Sequence, residues 1–548
     1  MQKKVWLSGA MAALGAAMLV AAAFAGTASS KSPSAFGQKK GGTMNVNMSA
    51  TDVDYIDPTL AYGTISWQIL DSVCMKLMYY PDKPDPLGSK LAPDGATGFP
   101  AVSKNGRTYV FTVKSGVKSN TGETLTAANY AAAIDRVLNP KMQSPAVPFI
   151  TGDNGIVGAQ AVADGKSTHA SGVKAAGQKL TITLLKPDGS LLSKLAMNFF
   201  CALPKGTEIN ADGINSFASF GPYYVASRQV GRQIITKTNP NYKGPRPHNI
   251  DTFVFTANTE LNQSLLQVKA GQADYDAGGL PPTAHADLAA QFGVNKGRYF
   301  VNRGLNVDYI AMNTTRPAFS SVNMRKAANY AVDRPALVRI RGKFAGFRND
   351  QILPPGLGGY KDQKLYPIKG SDYAKAKSLA GSNCKSVTLY SGNTATGQAL
   401  AQVFKYNLTQ IGCDVTVKLF QGFQIYIAAG TKGEPFDAVF AGWFADYADP
   451  YDFIDILLNG ENIHESNNNN LAYFSNAAVQ KQMRAANGLT GDKRYAAYQA
   501  LDLNISKNYA PWAAYENRNT REFISARMGG YLYQAAHGGA NLNTFFIK

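Results

Sequence analysis

The sequence is poor in the residues that carry most protein chemistry. Its five histidines, His169, His248, His285, His464 and His537, show neither an i, i+4 pair nor a His-Glu-x-x-His run, so no metal site is expected. The four cysteines lack Cys-x-x-Cys spacing, which removes thiol redox chemistry. Neither Gly-x-Ser-x-Gly nor Gly-x-x-x-x-Gly-Lys occurs, so nothing points to a nucleophile elbow or a phosphate loop. No catalytic residue and no cofactor is expected, and the chain reads as a binding protein. Acid is scarce too: 37 Asp and Glu stand against 55 Lys and Arg, a net charge of +18. The basic residues are spread along the chain; their one cluster is Lys31, Lys39 and Lys40, and no groove-reading motif accompanies them. Nucleic acid is therefore not an expected partner.

After Ala25 no apolar run is long enough to span a bilayer, which needs about 20 residues. Before it, Lys3 and Lys4 lead into an uncharged run, Val5 to Ala25, that closes on small residues at Ala25 or Ala28. This is the pattern of a secretory signal peptide over residues 1–28; an uncleaved anchor is the other reading, and the small residues favour cleavage. No cysteine near the cleavage points offers a thiol for lipid attachment. The expectation is an exported protein, periplasmic or extracellular, not anchored through an N-terminal Cys.

In such a compartment four cysteines permit three pairings. Cys384 precedes the strand-like "VTLY" and Cys413 precedes "VTVKLF"; between them Leu400, Val403, Phe404, Leu408 and Ile411 mark a helical face that ends at Gly412. A strand, helix, strand unit brings parallel strand starts to one sheet edge. This predicts Cys384–Cys413 and leaves Cys74–Cys201.

With 548 residues the chain holds several lobes. "GGTMNVNMS", "RTYVFTVKSGV", "GQKLTITLL", "RQIITKT" and "IDTFVFTAN" read as strands, and "LTAANYAAAIDRVLNP" as an amphipathic helix with Thr126 at its N-cap. From Asn258 helices and short strands alternate, as in a parallel or mixed sheet covered by helices. "MRKAANYAVDR" buries Met324, Ala327, Ala328 and Ala331, with Asp333 and Arg334 forming local pairs at its end.

Against the basic background, "AGWFADYADPYDFIDILLNG" gathers four acids among aromatic rings. Asp449 falls at a helix N-cap with Pro450 at the first helical position, Asp452 sits in the dipole-favoured first turn, and Asp455 faces water. Asp446 has no such assignment. It lies in a strand-to-helix connection with Trp443, Phe444 and Tyr447, where a carboxylate among rings suits a cationic group. Closing an Asx-turn is the competing reading.

The order of segments, "GGTMNVNMSATDVDYIDPTLAYG", "TNPNYKGPRP", "AMNTTRPAFSSVNMRKAANYAVDR", "AGWFADYADPYDF" and "DKRYAAYQALD" among them, resembles the extracellular solute-binding proteins of dipeptide, oligopeptide and nickel ATP-binding-cassette importers, from Gly41 to the C-terminus. The resemblance implies an α/β, two-lobed, periplasmic-binding-protein-like clamp of type II with an inserted subdomain. It divides the chain into a tail at 29–40, a first lobe at 41–81, 186–256 and 513–548, an inserted subdomain at 82–185 and a second lobe at 257–512. It implies a monomer that captures a small peptide or related amine-bearing solute and delivers it to a membrane permease. It assigns the ligand's α-amino group to Asp446, with Trp443, Phe444 and Tyr447 as walls and Tyr62 and Trp67 facing Asp446 across the cleft. Phe440 stands near the ligand where oligopeptide binders can carry an arginine, which leaves a sugar, a metal chelate or another organic cation as alternative ligands. A secreted hydrolase with an unrecognised nucleophile is the alternative from another class.

Overall fold

A computed structural model describes residues 40–548 apart from 49–51, 86, 383, 385 and 423. The expected signal peptide, 1–28, and the tail at 29–40, save Lys40, lie outside the described residues. Two mixed sheets organise the rest. The first holds β1 (Thr43–Met48), β2 (Tyr223–Gln229), β3 (Gln233–Thr238), β4 (Thr252–Ala257) and β5 (Tyr275–Asp276) in the order β5-β1-β4-β3-β2. Alternation in β1 buries Met44, Val46 and Met48 completely, and α1 (Thr64–Val73) buries Ile69, Leu70 and Val73 in the same core.

The second sheet holds β6 (Tyr299–Arg303), β7 (Asn306–Met312), β8 (Ser386–Gly392), β9 (Asp414–Phe420), β10 (Ala438–Phe444) and β11 (Trp512–Phe523) in the order β6-β11-β7-β10-β8-β9, with Gly346–Arg348 beside β11. Separate apolar cores lie on its two faces. Each sheet thus centres its own α/β lobe. A smaller antiparallel sheet of Ala101–Val102, Thr108–Thr112, Val173–Ala176 and Lys179–Thr183 carries the helix Ala127–Leu138, where Thr126 N–H donates to Asn129 Oδ1 at 2.8 Å as the cap requires.

The expected strand, helix, strand unit is β8, α3 (Ala395–Thr409) and β9. The strands pair in parallel from Ser386 opposite Asp414, and Leu400, Phe404 and Leu408 are buried against them. Cys384 and Cys413 meet at the shared edge with Cα atoms 4.8 Å apart, and Cys74 and Cys201 form the second disulfide at 5.3 Å. Two chain crossings run side by side between the lobes: Tyr275 bridges Ile524, and Ser525 N–H donates to the Asp274 carbonyl at 2.8 Å.

In α2 (Val322–Ala331), Met324, Ala327, Ala328 and Ala331 are buried as their spacing predicts. The ending differs. Asp333 caps the next helix by accepting from Ala336 N–H at 2.9 Å, and Arg334 is fully buried, donating to the carbonyls of Asn329, Asn349, Pro367 and Ala514. Local pairing is replaced because a buried guanidinium needs several fixed acceptors.

Candidate functional site

Two loops meet at the site, one from each lobe. The first runs from Asp54 to Gly63 and is braced by carboxylates. Asp57, wholly buried, receives both arms of Arg136 at 2.6 Å. Asp54 Oδ2 accepts from the N–H groups of Tyr62 and Gly63 at 2.6 and 2.7 Å. Behind Tyr62, Trp67 is buried with its indole N–H donated to the Ala61 carbonyl at 2.7 Å, and Phe199 sits edge-on to both rings at 5.4 Å. The rings and the turn hold Tyr62 forward, with 38% of its surface exposed.

The second loop follows β10, whose final residues project in alternation. Trp443 turns to one face and donates its indole N–H to Asp452 Oδ2 at 3.0 Å; Asp446 N–H donates to the same oxygen at 2.9 Å. Asp452 lies in the first turn of α4 (Tyr451–Leu458) and is wholly buried, so its work is to tie the loop back onto its helix. The helix begins one residue later than expected: Pro450 takes the cap position, while Asp449 accepts from Tyr451 N–H at 2.9 Å and binds Arg494 at 2.7 and 3.1 Å. Asp455 does not face water. It is buried, which pushes its carboxyl up to about 7, and it accepts from Tyr498 OH at 2.7 Å, which opposes the shift in part.

Asp446 is half-buried and accepts from Tyr62 OH at 2.6 Å. Burial raises its carboxyl to about 7, with the tyrosine hydrogen bond only partly opposing the shift. Asp452 is raised well above its ordinary range by burial and then by the charge of Asp446, and its Oδ1 has no hydrogen-bond partner among the described residues. Tyr62 is raised by burial and by the same Asp446 charge. The loop therefore holds two carboxyls close together in an environment that disfavours both charges.

Of the seven ligand candidates, the structure brings together Asp446, Tyr62 and, through Asp452, Trp443. Trp67 stands behind Tyr62 and does not reach forward. Phe444 is 41% exposed and lies under Arg518, 5.1 Å from the ring centroid to the guanidinium carbon. Tyr447 is fully buried in the apolar cluster of the first sheet, edge-on to Phe149 at 6.2 Å. The placement of Phe440 corrects the expectation that it stands near the ligand: it is a core side chain between Phe404 and Tyr515, at 6.1 and 6.0 Å, on the opposite face of β10 from Val439 and Ala441. Strand alternation dictates this, since an odd-to-even step along β10 changes the face presented.

Sequence reasoning missed Asp452 as a loop tie, because a helix first turn explains an acid adequately, and it missed the Asp57–Arg136 pair, whose partners are 79 residues apart. It also missed Arg518 on β11, whose Nε and Nη2 both donate to the carboxylate of Asp308. No group of three His, Cys, Asp or Glu among the described residues is arranged to hold a metal ion, and none of their helices is long and apolar enough to cross a membrane.

This architecture recurs in known proteins. Residues 90–465 match the model for bacterial extracellular solute-binding proteins, family 5. Over 461 residues the chain is 27% identical to heme-binding protein A of Haemophilus influenzae, covering 80% of this chain and 82% of that one. It is 24% identical over 442 residues to di/tripeptide-binding protein 3 of Pseudomonas aeruginosa, covering 75% and 78%. Among solved structures, clavulanic acid biosynthesis oligopeptide binding protein 2 superimposes with a TM-score of 0.86 at 21% identity, covering 93% of this chain and 96% of that one. With the family model spanning more than half of its length, the chain belongs to the family 5 bacterial extracellular solute-binding proteins, two-lobed α/β clamps.

Proposed function

We propose that the protein captures a small amine-bearing solute, a short peptide foremost, between its lobes and delivers it to the membrane permease of an ATP-binding-cassette importer, without chemical turnover. It works as a monomer outside the cytoplasmic membrane. The observation that carries this reading is Asp446: a half-buried carboxylate at a loop between lobes, engaged by the neutral hydroxyl of Tyr62 at 2.6 Å, with burial rather than any cation dominating its environment. An ammonium supplies what the site lacks. It brings a full positive charge to Asp446, reverses the cost of burying the carboxylate, and can share Tyr62 as an acceptor. Trp443 and Phe444 offer apolar cover to the rest of the solute. The similarity to a di/tripeptide-binding protein and to an oligopeptide-binding structure supports a peptide.

Closure must favour the loaded state, since a ligand shifts a two-state clamp only by its differential affinity. The test is Asp446→Asn, with folding followed by circular dichroism and dipeptide binding by calorimetry. Removing one member of a close charge pair costs roughly 2 to 5 kcal/mol, about 30-fold to several thousand-fold in Kd. Unchanged affinity in the folded variant sinks the amine anchor. Native mass spectrometry of the purified protein should release its ligand intact, and turnover of a peptide or ester panel would favour a hydrolase instead.

A further inference from the structure

A pocket of ≈ 560 Å³ lies apart from the site described above. Asn154, Lys194, Tyr451, Asp455, Asn462 and Asn469 help to line it, and none of Tyr62, Trp443 and Asp446 does. We propose that it is a second binding site, for a short neutral saccharide held by both halves of the clamp at once.

The two walls belong to different cores. Segment 148–160 follows the helix Ala127–Leu138 and packs Phe149, Ile150 and Ile156 into the core of the first sheet. α4 packs Phe453, Ile454 and Leu457 into a core of the second sheet and leads into the stretch that supplies Asn462 and Asn469. Lys194 spans the boundary: its ammonium donates to Asp188 at 2.7 Å and stands 4.4 Å from the ring centroid of Tyr451. The volume falls within the range of small-molecule sites, about 300 to 1,000 Å³.

The charges around the pocket are spent on one another. Lys194 is paired with Asp188, Asp153 with Lys186 at 2.5 Å, and Glu461 with Arg484. Asp455 stands apart, and burial opposes its charge. An ionic ligand therefore finds no unanswered counter-charge here.

What remains unanswered is neutral hydrogen-bonding capacity. The side-chain amides of Asn154, Asn467 and Asn469 and the hydroxyl of Tyr451 have no hydrogen-bond partner among the described residues. Asn462 donates to the Asp455 carbonyl at 3.0 Å and keeps its own oxygen open, and Asp455 spends Oδ2 on Tyr498 while Oδ1 stays open. An amide sets a donor beside an acceptor, and a hydroxyl can take either part, so amides on facing walls match the adjacent hydroxyls of a sugar ring. A carboxyl that titrates near neutrality serves a hydroxyl in both forms, accepting when charged and donating when protonated.

Calorimetry of the purified protein with maltose, cellobiose and N,N′-diacetylchitobiose tests the assignment. At least one should bind with a Kd below about 1 mM. Asn154→Ala with Asn469→Ala should weaken that sugar about tenfold, the worth of two neutral hydrogen bonds. Neither asparagine has a protein partner to lose, so circular dichroism and thermal unfolding of the variant should match the wild type. Its affinity for alanyl-phenylalanine should stay within about twofold, because the two sites share no residue. Binding of none of the three sugars overturns the site. So does a sugar that the folded variant binds as tightly as the wild type, or one that saturating alanyl-phenylalanine displaces, which would place it beside Asp446. A wild type that binds the sugar but no dipeptide overturns the reading of Asp446 and leaves this one standing.

Discussion

Asp57 and Asp446 sit on the two loops that meet at the cleft and represent opposite ways of burying a carboxylate. Asp57 is answered in full: Arg136 at 2.6 Å on each oxygen, with the N–H groups of Thr59 and Ile214 at 2.9 and 3.2 Å. Asp446 receives one side-chain donor, the neutral hydroxyl of Tyr62. A buried charge with its own cation is architecture; one left with a neutral donor is an incomplete pair, and incomplete pairs with perturbed titration concentrate at functional sites. The molecule rigidifies one side of its cleft and leaves an electrostatic demand on the other.

The largest effect should come from breaking the complete pair. Arg136→Ala strands a wholly buried Asp57 and should lower unfolding stability by about 3 to 5 kcal/mol in denaturant titrations. A stability loss of under about 1 kcal/mol would show that the Asp57 site relaxes or admits water.

The incomplete pair should instead respond to pH. Burial raises the Asp446 carboxyl from 3.8 to about 7 in the folded protein. Below that value the group is protonated before a cation arrives, so dipeptide association should weaken as pH falls, approaching about tenfold per unit between pH 7 and 5. The sign for stability is opposite. Between about 4 and 7 the folded, solute-free protein holds protons that the unfolded chain has released, so it gains stability as pH falls through that window. Asp446→Asn should flatten the binding dependence and reduce the stability dependence, which Asp455 also carries, and a binding profile that stays unchanged across pH 5 to 8 would place the amine elsewhere. The smallest effect belongs to Phe440→Leu. It should cost roughly 1 kcal/mol of stability as a core swap while leaving dipeptide affinity within about twofold.

Local pattern carried much of the fold. The apolar spacing in α3, the parallel strands beside it and the alternating strand β1 are all set by residues close in sequence, so their faces and even the Cys384–Cys413 pairing could be read directly. The site was legible only in part. Asp446 stood out because no local role absorbed it, and Tyr62 was placed opposite it through family resemblance. Asp452 lies in the first turn as expected, but its tie to Trp443 was not legible, and Asp455 was misjudged because helix position describes an isolated helix, whereas packing against Tyr498 decides its burial. Phe440 was assigned by its offset from Asp446, yet strand pleating sends it to the other face. Arg136 and Arg518 act on partners far away in sequence, which no local spacing announces.

Tyr447 carries one further consequence. It belongs to the loop of the second lobe, yet its ring is wholly buried among residues of the first, and the neighbouring Ala448 N–H donates to Tyr80 OH at 3.0 Å. Parting the lobes must draw this ring out of an apolar socket and into water, which opposes opening by on the order of 2 kcal/mol. The ring is thus a bolt thrown from one jaw into the other, one residue from Asp446. A clamp that opens about this contact makes withdrawal of the ring a step shared by entry into the cleft and escape from it.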